Sequence, residues 1–387
     1  MSRAADKPTI VLTGGGTGGH ITPILAVAHE LKKLQPNCQT VYIGERGSKF
    51  GSLTDDHIAI NQTKRIYSGK YRRYYGESWL KRLFDVRTNL LNTRDAVFVV
   101  VGLVQAWLLL GRLQPDVVFL KGGYVGVPVG LAAALRKIPI VTHDSDALPG
   151  LANRLVSRWA SLHATAMPAE TYAYPKERTI QVGVLVEHSY NSVTPESQKK
   201  YKQQLGISDS TTKVVLVTGG SSGAEALNTA MKQFVVSLLE QQPDLHVFHQ
   251  VGKGKLGDFG TVSHPRLHLL EFLNPMHAYM GAADLVVTRA SANTLAELGV
   301  QGKAAVVVPS PYLADGHQLR NAEYLQRQEA AVVVSEDELP TGLENAIVQL
   351  LSHPERGREL AQKLQQLSPS NAANKLALLI TKNMKNT

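Results

Sequence analysis

Cysteine is nearly absent from the chain, since Cys38 is the one such residue among 387. A single thiol excludes an internal disulfide, and it leaves no paired cysteines or Cys/His cluster with the spacing of a structural zinc site. The apolar stretch at the N-terminus is too short for the core of a secretory signal. These absences lead us to expect a protein of the reducing cytoplasm that is not exported.

Long hydrophobic runs are also scarce. Residues 96–110 form one nearly apolar run of 15 residues, interrupted by Gln105. A helix that spans a bilayer needs about 20 such residues, and a strand-like PDVV sequence follows soon after. The pattern therefore predicts a helix buried against a sheet rather than a membrane span.

Acidic residues are outnumbered, with 32 Asp and Glu against 41 Lys and Arg and a formal charge of +9. Between Asn61 and Leu90 there are eight basic residues and two acidic ones, interleaved with aromatic side chains. Such a mixture suits anionic lipid headgroups beside apolar insertion. We predict that Lys64–Phe84 contacts an anionic membrane surface; the alternative is a solvated basic loop with its aromatic side chains packed inward. No nucleic-acid-binding motif accompanies the segment, so nucleic acid is not an expected partner.

What the chain does contain is a repeated alternation of strands and helices. Segments such as TIVLT, DVVFLK and IPIVTH alternate with helical stretches, and the same order restarts after about Asp209. This order predicts an α/β chain of two Rossmann-like doubly wound domains. We place the N-terminal domain at residues 1–183, the C-terminal domain at 184–362 and a final helix within 363–387. Ligands of such sheets bind at the carboxyl ends of the strands, so we expect the two domains to face a cleft.

Glycine is concentrated in two strand-to-helix turns. The first reads GGGTGGH at residues 14–20, and the second reads GGSSG at residues 219–223. Glycine lets the backbone approach a ligand closely, and a helix N-terminus offers free N–H groups to an anion. The first turn alone would also suit a dinucleotide, with Glu45 on the ribose. The second turn, and the imidazole of His20 at the first, favour a different chemistry in which His20 is a general base.

These motifs occur in the same order in a known family. They are TGGGTGGHITP at Thr13–Pro23, SGKYRRY at Ser68–Tyr74, PDVVFLKGGYVGVP at Pro115–Pro128, ALPGLANRL at Ala147–Leu155, TGGSSGAEALN at Thr218–Asn228, HQVGKG at His249–Gly254, EFLNPM at Glu271–Met276, TRASANTLAEL at Thr288–Leu298 and DGHQLRNA at Asp315–Ala322. Over nearly its whole length the chain resembles the bacterial MurG family, the lipid-linked N-acetylglucosaminyltransferases of peptidoglycan synthesis.

The resemblance implies a GT-B fold and an inverting hexosyltransferase. Its C-terminal domain would bind UDP-N-acetylglucosamine, and its N-terminal domain the undecaprenyl-diphosphate-linked N-acetylmuramyl pentapeptide, whose 4-hydroxyl receives the sugar. The helix N-terminus after Gly220 would hold the leaving diphosphate, so no metal ion or other cofactor is expected. The protein would be cytoplasmic and peripheral on the inner face of the cell membrane, where other cell-wall synthesis proteins are possible partners.

The resemblance also assigns site residues by position. The donor site comprises Ser221 for the diphosphate, Phe272 and Leu273 for the uracil, Glu297 for the ribose, His317 and Gln318 for the sugar, and Arg289 and Thr294. The acceptor and its diphosphate fall to Gly15, Gly16, Thr17, Gly18, Gly19, Gly122, Gly123, Tyr124, Asp146 and Asn153. The catalytic candidates are His20 and Asp144. These residue types fit the chemistry, because carboxylates accept hydroxyl hydrogen bonds and amide or imidazole groups distinguish hydroxyl orientation.

Two segments depart from the family pattern. The loop after IPIVTH reads His-Asp-Ser-Asp at residues 143–146, where the family has His-Glu-Gln-Asn, and Glu187 stands where arginine is usual. The Asp-Ser-Asp triplet resembles the metal-binding motif of a different glycosyltransferase fold, and a carboxylate at Glu187 would repel a donor diphosphate. These changes leave two alternatives open: a GT-B transferase with another lipid acceptor, and a catalytically impaired protein that binds a nucleotide-sugar.

Overall fold

The computed structural model describes residues 7–15, 18–48, 52–70, 85–209, 211–220, 222–312 and 316–385, with the backbone alone at 18–20, 86 and 87. The chain divides into two compact units. Unit 1 combines Met1–Glu187 with Asn371–Thr387, and unit 2 is His188–Ser370.

Unit 1 is built on a parallel sheet with the strand order β3-β2-β1-β4-β5-β6-β7. The strands are β1 Thr9–Thr13, β2 Gln39–Glu45, β3 Gln62–Ile66, β4 Val117–Leu120, β5 Ile140–Asp144, β6 Leu162–Thr165 and β7 Thr179–Gln181. The helices are α1 Gly18–Leu34, α2 Ser52–Asp55, α3 Val86–Leu113, α4 Gly126–Leu135, α5 Leu151–Val156 and, from the end of the chain, α13 Ala372–Lys382. The order reverses between β1 and β4, so the carboxyl ends of these two strands form the topological switch point.

Unit 2 repeats the plan with the order β10-β9-β8-β11-β12-β13, again parallel. The strands are β8 Lys213–Thr218, β9 Leu245–Gln250, β10 Leu267–Leu270, β11 Leu285–Thr288, β12 Ala304–Val307 and β13 Val332–Val333. The helices are α6 Pro195–Gln204, α7 Glu225–Gln241, α8 Met276–Ala282, α9 Ala292–Gln301, α10 His317–Arg327, α11 Thr341–Ser352 and α12 Pro354–Gln366. Its switch point lies between β8 and β11.

Helices cover both faces of each sheet, which explains why the central strands are apolar runs rather than alternating ones. Every residue of β4 (VVFL) and β12 (AAVV) is buried. In unit 1 one face packs against α1 and α13, and the other against α3 and α4. The sheets are therefore rigid platforms whose carboxyl ends carry the turns.

The limits of the units differ from the predicted domains, because the chain crosses at Glu187 rather than near residue 183 and returns at Asn371. Helix α12, part of which was expected in the final segment, stays in unit 2, where Leu360 and Leu364 join its core. Helix α13 packs on unit 1 instead, with Leu376 buried and Asn374 donating to Glu30 at 2.8 Å.

Helix α3 packs against the sheet through one face only, so the prediction of a helix buried there is wrong in its extent. By length and composition alone, Thr88–Leu113 is long and apolar enough to cross a membrane. Only 17% of its most apolar stretch is buried inside the protein. The apolar run at residues 96–110 covers only part of this helix, which begins ten residues earlier at Val86. Its inner face joins the core through Ala106 and Leu110, while its outer face is exposed.

Candidate functional site

Unit 1 has a further glycine turn, at Gly122 and Gly123 after β4, and it is in direct backbone contact with the turn after β1. Gly123 has a φ of +79°, and a Cβ built there would lie 2.1 Å from the carbonyl oxygen of Gly15. A side chain at this position would therefore separate the turns. The hydroxyl of Tyr42 donates to the carbonyl oxygen of Gly14 at 2.5 Å and fixes the first turn from β2. Because the turns follow β1 and β4, they meet at the switch point of the sheet.

The predicted acceptor glycines lie partly in this contact. Gly15, Gly122 and Gly123 form it, and Gly18 and Gly19 begin α1. Gly16 and Thr17 lie outside the described residues, and so does the side chain of His20. The role of His20 as general base stays a prediction.

Tyr124 is engaged by Glu45. Its hydroxyl donates to Glu45 Oε2, and burial together with this hydrogen bond raises the pKa of Tyr124 far above its usual value. Glu45 is the residue that a dinucleotide would use for its ribose. Its carboxylate instead accepts a hydrogen bond from Tyr124, in the turn that follows β4.

Asp144 lies at the end of β5 with 4% of its surface exposed. Its Oδ1 accepts from the backbone N–H of Gly150 and from Asn153 Nδ2, both at 2.9 Å, and its Oδ2 accepts from the Tyr174 hydroxyl at 2.9 Å. Burial raises the pKa of this carboxyl, and these hydrogen bonds oppose the rise. A carboxylate whose two oxygens both accept from protein donors organises its loop, so the geometry favours a positioning role over the predicted catalytic one.

The neighbours of Asp144 are also held inside the unit. Asn153 donates a hydrogen bond to the carbonyl oxygen of His143 at 3.0 Å, which ties α5 to β5. His143 Nε2 lies 2.9 Å from the carbonyl oxygen of Gly183, and burial keeps the pKa of this imidazole well below its usual value. Asp146 is half-buried, and its backbone oxygen accepts from the Tyr172 hydroxyl at 2.9 Å. The loop is therefore a fixed wall of unit 1.

The second glycine turn, in unit 2, is built in a similar way. Gly223 has a φ of +68°, and a Cβ there would lie 1.9 Å from the carbonyl oxygen of Val251. Gln250 donates to the carbonyl oxygen of Gly220 at 2.9 Å. Helix α7 follows from Ala224 with no side-chain cap, which leaves backbone N–H groups of its first turn available to an anion. The predicted diphosphate ligand, Ser221, lies outside the described residues.

Two buried residues behind this turn were not predicted as site residues. Asn228 donates to the carbonyl oxygen of Val251 at 2.9 Å, and His249 Nε2 lies 3.0 Å from Asn228 Oδ1. Burial lowers the pKa of His249 to about 3, so its ring is neutral at physiological pH. The available signal was the HQVGKG motif, which shows where a strand ends but not that its first side chain turns inward.

Predicted donor residues on α9 share one face of the helix. Thr294 and Glu297 are three residues apart and both half-buried, which places them one above the other. The predicted uracil pair splits, because Phe272 is 60% exposed while Leu273 is 1% exposed and packs in the core. The Phe272 ring is thus open to a base, whereas Leu273 would meet a ligand only through its backbone.

The remaining predicted donor residues cluster after β11 and β12. Arg289 Nη1 donates to Glu336 Oε1 at 2.5 Å and to the carbonyl oxygen of Val308 at 3.1 Å. Gln318 is buried on α10, and its Oε1 accepts from the backbone N–H of Ser310 at 3.0 Å. His317 is the first residue of α10 and is half-buried.

Glu336 was missed by sequence reasoning, because it lies outside the motifs. It lines a cavity of about 440 Å³ together with Glu225, Thr229, Gln233, Arg289 and Tyr312, among others. Asn321 was also missed, although it lies inside the DGHQLRNA motif. Its Nδ2 donates to the carbonyl oxygen of Ala290 at 3.0 Å and joins α10 to the turn after β11.

Residues 10–165 match the glycosyltransferase family 28 N-terminal domain, and residues 214–376 match the glycosyltransferase family 28 C-terminal domain. A Salinibacter ruber protein named UDP-N-acetylglucosamine–N-acetylmuramyl-(pentapeptide) pyrophosphoryl-undecaprenol N-acetylglucosamine transferase is 34% identical over 373 residues, 96% of this chain and 95% of that protein. A protein of the same name from Acetivibrio thermocellus is 31% identical over 388 residues, 97% of this chain and 98% of its own. The chain belongs to this family of glycosyltransferases.

Solved structures agree with this assignment. The crystal structure of Acinetobacter baumannii MurG is similar with a TM-score of 0.71 and 25% identity, covering 97% of this chain and all of that one. CalG4, the calicheamicin glycosyltransferase, has a TM-score of 0.65 at 16% identity over 98% of both chains, which shows the shared fold. The predictions of a GT-B fold and of a MurG-family glycosyltransferase are confirmed.

Proposed function

We propose that this member of the MurG family transfers N-acetylglucosamine from UDP-N-acetylglucosamine to the 4-hydroxyl of undecaprenyl-diphosphate-linked N-acetylmuramyl pentapeptide. The observation that carries the proposal is the similarity, along 96% of the chain, to a relative named for that transfer. The geometry of each unit supports it, because the described residues among those predicted follow the carboxyl ends of the strands of two parallel sheets.

Unit 2 would hold the donor. The uncapped N-terminus of α7 and the turn before it suit a diphosphate, and they stabilise the charge that develops on leaving UDP. Glu297 would accept hydrogen bonds from the ribose hydroxyls, and Phe272 offers an exposed ring to the uracil. His317 and Gln318 begin α10 close to the turn after β12, a suitable position for sugar hydroxyls.

Unit 1 would hold the acceptor. The joined turns at Gly15 and Gly123 present backbone to its diphosphate, and the fixed loop at residues 144–153 forms a wall beside them. His20 would take the proton from the attacking hydroxyl as the new glycosidic bond forms on the face opposite the departing UDP, which inverts the anomeric configuration.

The proposal is tested with purified protein, radiolabelled UDP-N-acetylglucosamine and a short-chain analogue of the lipid-linked acceptor, in buffer containing EDTA. Formation of the disaccharide product under these conditions is the expected result. Product that forms only after Mn²⁺ is added would contradict the metal-free chemistry. Transfer to a different lipid acceptor in a parallel screen, without transfer to this one, would favour the alternative transferase.

We also propose that unit 1 docks on an anionic membrane. The outer face of α3 carries Val97, Val100, Val104, Trp107 and Leu108, each between 44% and 61% exposed. Residues 71–84 of the predicted membrane segment lie outside the described residues. Tyr67, four residues before residue 71, stacks on Phe98 of α3 with ring centroids 5.4 Å apart. Its backbone N–H donates to Gln105 Oε1 at 2.9 Å.

Charge on this face also fits such a surface. The guanidinium of Arg136 lies 4.2 Å from the centre of the Trp107 ring. The one acid of the helix, Asp95, is buried. Because the inner face of α3 belongs to the core of unit 1, contact would be in the plane of the headgroups rather than across the bilayer.

A further inference from the structure

Lys121 is a buried lysine at the switch point of unit 1 that the predicted site did not include. It directly follows β4 and is 4% exposed. Its Nζ donates to Ser145 Oγ at 2.8 Å, and its backbone N–H donates to the carbonyl oxygen of Thr13 at 2.9 Å. One residue therefore joins the ends of three adjacent strands, β1, β4 and β5.

The side chain of Lys121 lies next to the first glycine turn and faces the acidic loop. A Cβ built on Gly14 would lie 3.1 Å from Lys121 Cβ. Burial lowers the pKa of Lys121 to about 8, and the nearby carboxylates of Asp144 and Asp146 oppose that shift. The charge of Lys121 in turn contributes to the low pKa of His143. The ammonium is thus the positive partner of the Asp-Ser-Asp triplet at residues 144–146, which differs from the family pattern.

Unit 2 contains a comparable lysine with a different environment. Lys303 is 5% exposed, and burial lowers its pKa to about 8 as well. Its Nζ donates to the carbonyl oxygens of Gly281 and Ala283 at 2.7 and 2.9 Å, at the C-terminal end of α8. Such carbonyls favour a cation, so the ammonium of Lys303 serves the fold locally. Lys121 bonds instead to a side chain of the loop beside the predicted acceptor turns.

We propose that Lys121 is a positioning residue for the acceptor. Its ammonium holds Ser145 and the loop of Asp144 and Asp146 against the joined glycine turns, and it adds positive charge beneath the place where the acceptor's diphosphate binds. A charge in a water-poor interior acts over a longer distance than one in solvent, so direct contact with the diphosphate is not required. This proposal rests on the proposed function, because it assumes a diphosphate-linked acceptor on unit 1.

The test compares Lys121→Met with Lys303→Met, which removes an equally buried lysine from the other unit. Equilibrium binding of a short-chain diphosphate-linked muramyl analogue, the KM for donor and for acceptor, and the melting temperature are measured on each. We expect Lys121→Met to weaken binding of the analogue about tenfold, the usual loss for one charge-assisted contact, with donor KM within about twofold of the parent. Lys303→Met should lower the melting temperature without changing analogue binding.

Two further variants keep the proposal testable if Lys121→Met does not fold. Ser145→Ala should weaken analogue binding in the same direction but by less, about threefold, because the ammonium remains. Lys121→Arg keeps the charge and should bind the analogue better than Lys121→Met. Unchanged binding in Ser145→Ala and Lys121→Met, equal loss for donor and acceptor, or the same loss in Lys303→Met would overturn the proposal. A parent that binds the analogue but transfers no sugar would contradict the proposed function and leave the positioning role standing.

Discussion

Arg289 and Glu336 form a largely buried ion pair in unit 2, with Nη1 and Oε1 2.5 Å apart and the side chains 12% and 15% exposed. Arg289 follows β11, and Glu336 begins the short 3-10 helix Glu336–Glu338 after β13. The predicted donor-site arginine is therefore held by a residue from two strands away in the sheet. Its second hydrogen bond goes to the carbonyl oxygen of Val308, so the guanidinium is held in one orientation.

Replacing Glu336 with Gln should weaken donor binding, because Arg289 loses its charged partner and the fixed orientation that the pair imposes. We expect the KM for UDP-N-acetylglucosamine to rise about fivefold to tenfold, as for a lost charge-assisted hydrogen bond, with the acceptor KM unchanged. Asp337→Asn removes the same charge from the next, exposed position and is the matched control. A donor KM that moves equally in both variants would show that the ion pair has no specific role.

Glu297 on α9 provides the sharpest test of donor recognition. If its carboxylate accepts from the ribose hydroxyls, Glu297→Gln should raise the donor KM about tenfold or more. The parent should discriminate against a 2′-deoxyribose form of the donor, and the variant should lose much of that discrimination. Glu344→Gln, also half-buried but on α11, is the control. Equal discrimination by parent and variant would place the ribose elsewhere.

Much of the fold could be predicted because its signals are local. The alternation of apolar strands with helices gives the parallel sheets, and each glycine turn marks a strand end. The outer face of α3 could not be predicted in the same way, since an apolar helix has the same sequence pattern whether protein or lipid covers it. The return of α13 to unit 1 depends on contacts with α1, such as Asn374 with Glu30, that are 344 positions apart in the chain.

In the candidate site, too, the local features could be predicted and the long-range contacts could not. Motifs identify the positions of the turns, but not which side chains the fold uses internally. Asp144, Asn153 and Gln318 each bond to backbone in the structure, although sequence reasoning assigned them to ligand or catalysis. Lys121 and Glu336 are not distinguishable from surface charges until strand order brings them beside their partners.

A variant of Asp144 can distinguish its positioning role from the predicted catalytic one. Asp144→Asn replaces one of the two accepting oxygens with an amide N–H and removes the charge that strengthens all three hydrogen bonds to this side chain. We expect a stability loss of about 1–3 kcal/mol together with a raised acceptor KM. Tyr174→Phe removes the hydroxyl that donates to Oδ2 and should reproduce part of the stability loss. A variant at Asp144 that melts like the parent but has lost kcat would restore the catalytic assignment.

The outer face of α3 is tested by the triple variant Val100→Ser, Val104→Ser and Trp107→Ser. These side chains are exposed, so the free energy of unfolding should change little. The fraction of protein that floats with anionic vesicles should fall about tenfold or more. Ile58→Ser, at a position 90% exposed elsewhere in unit 1, is the control for loss of an apolar surface side chain. Flotation equal to that of the parent would assign docking to another surface.

The low pKa of His249 predicts how the stability of unit 2 depends on pH. Its pKa is about 3 in the folded state against an ordinary value of 6.5, because burial disfavours the charged ring. Between these values the unfolded chain binds a proton that the folded chain does not, so the free energy of unfolding falls as pH drops from 6.5 toward 3, by up to about 1.4 kcal/mol per pH unit.

The variant His249→Gln tests this, because it keeps a donor for Asn228 and removes the group that binds the proton. The fall in melting temperature between pH 7 and pH 5 should therefore be smaller in that variant than in the parent, whereas His353→Gln at an exposed position should match the parent. Identical falls in all three proteins would mean that His249 is not the group that titrates on unfolding.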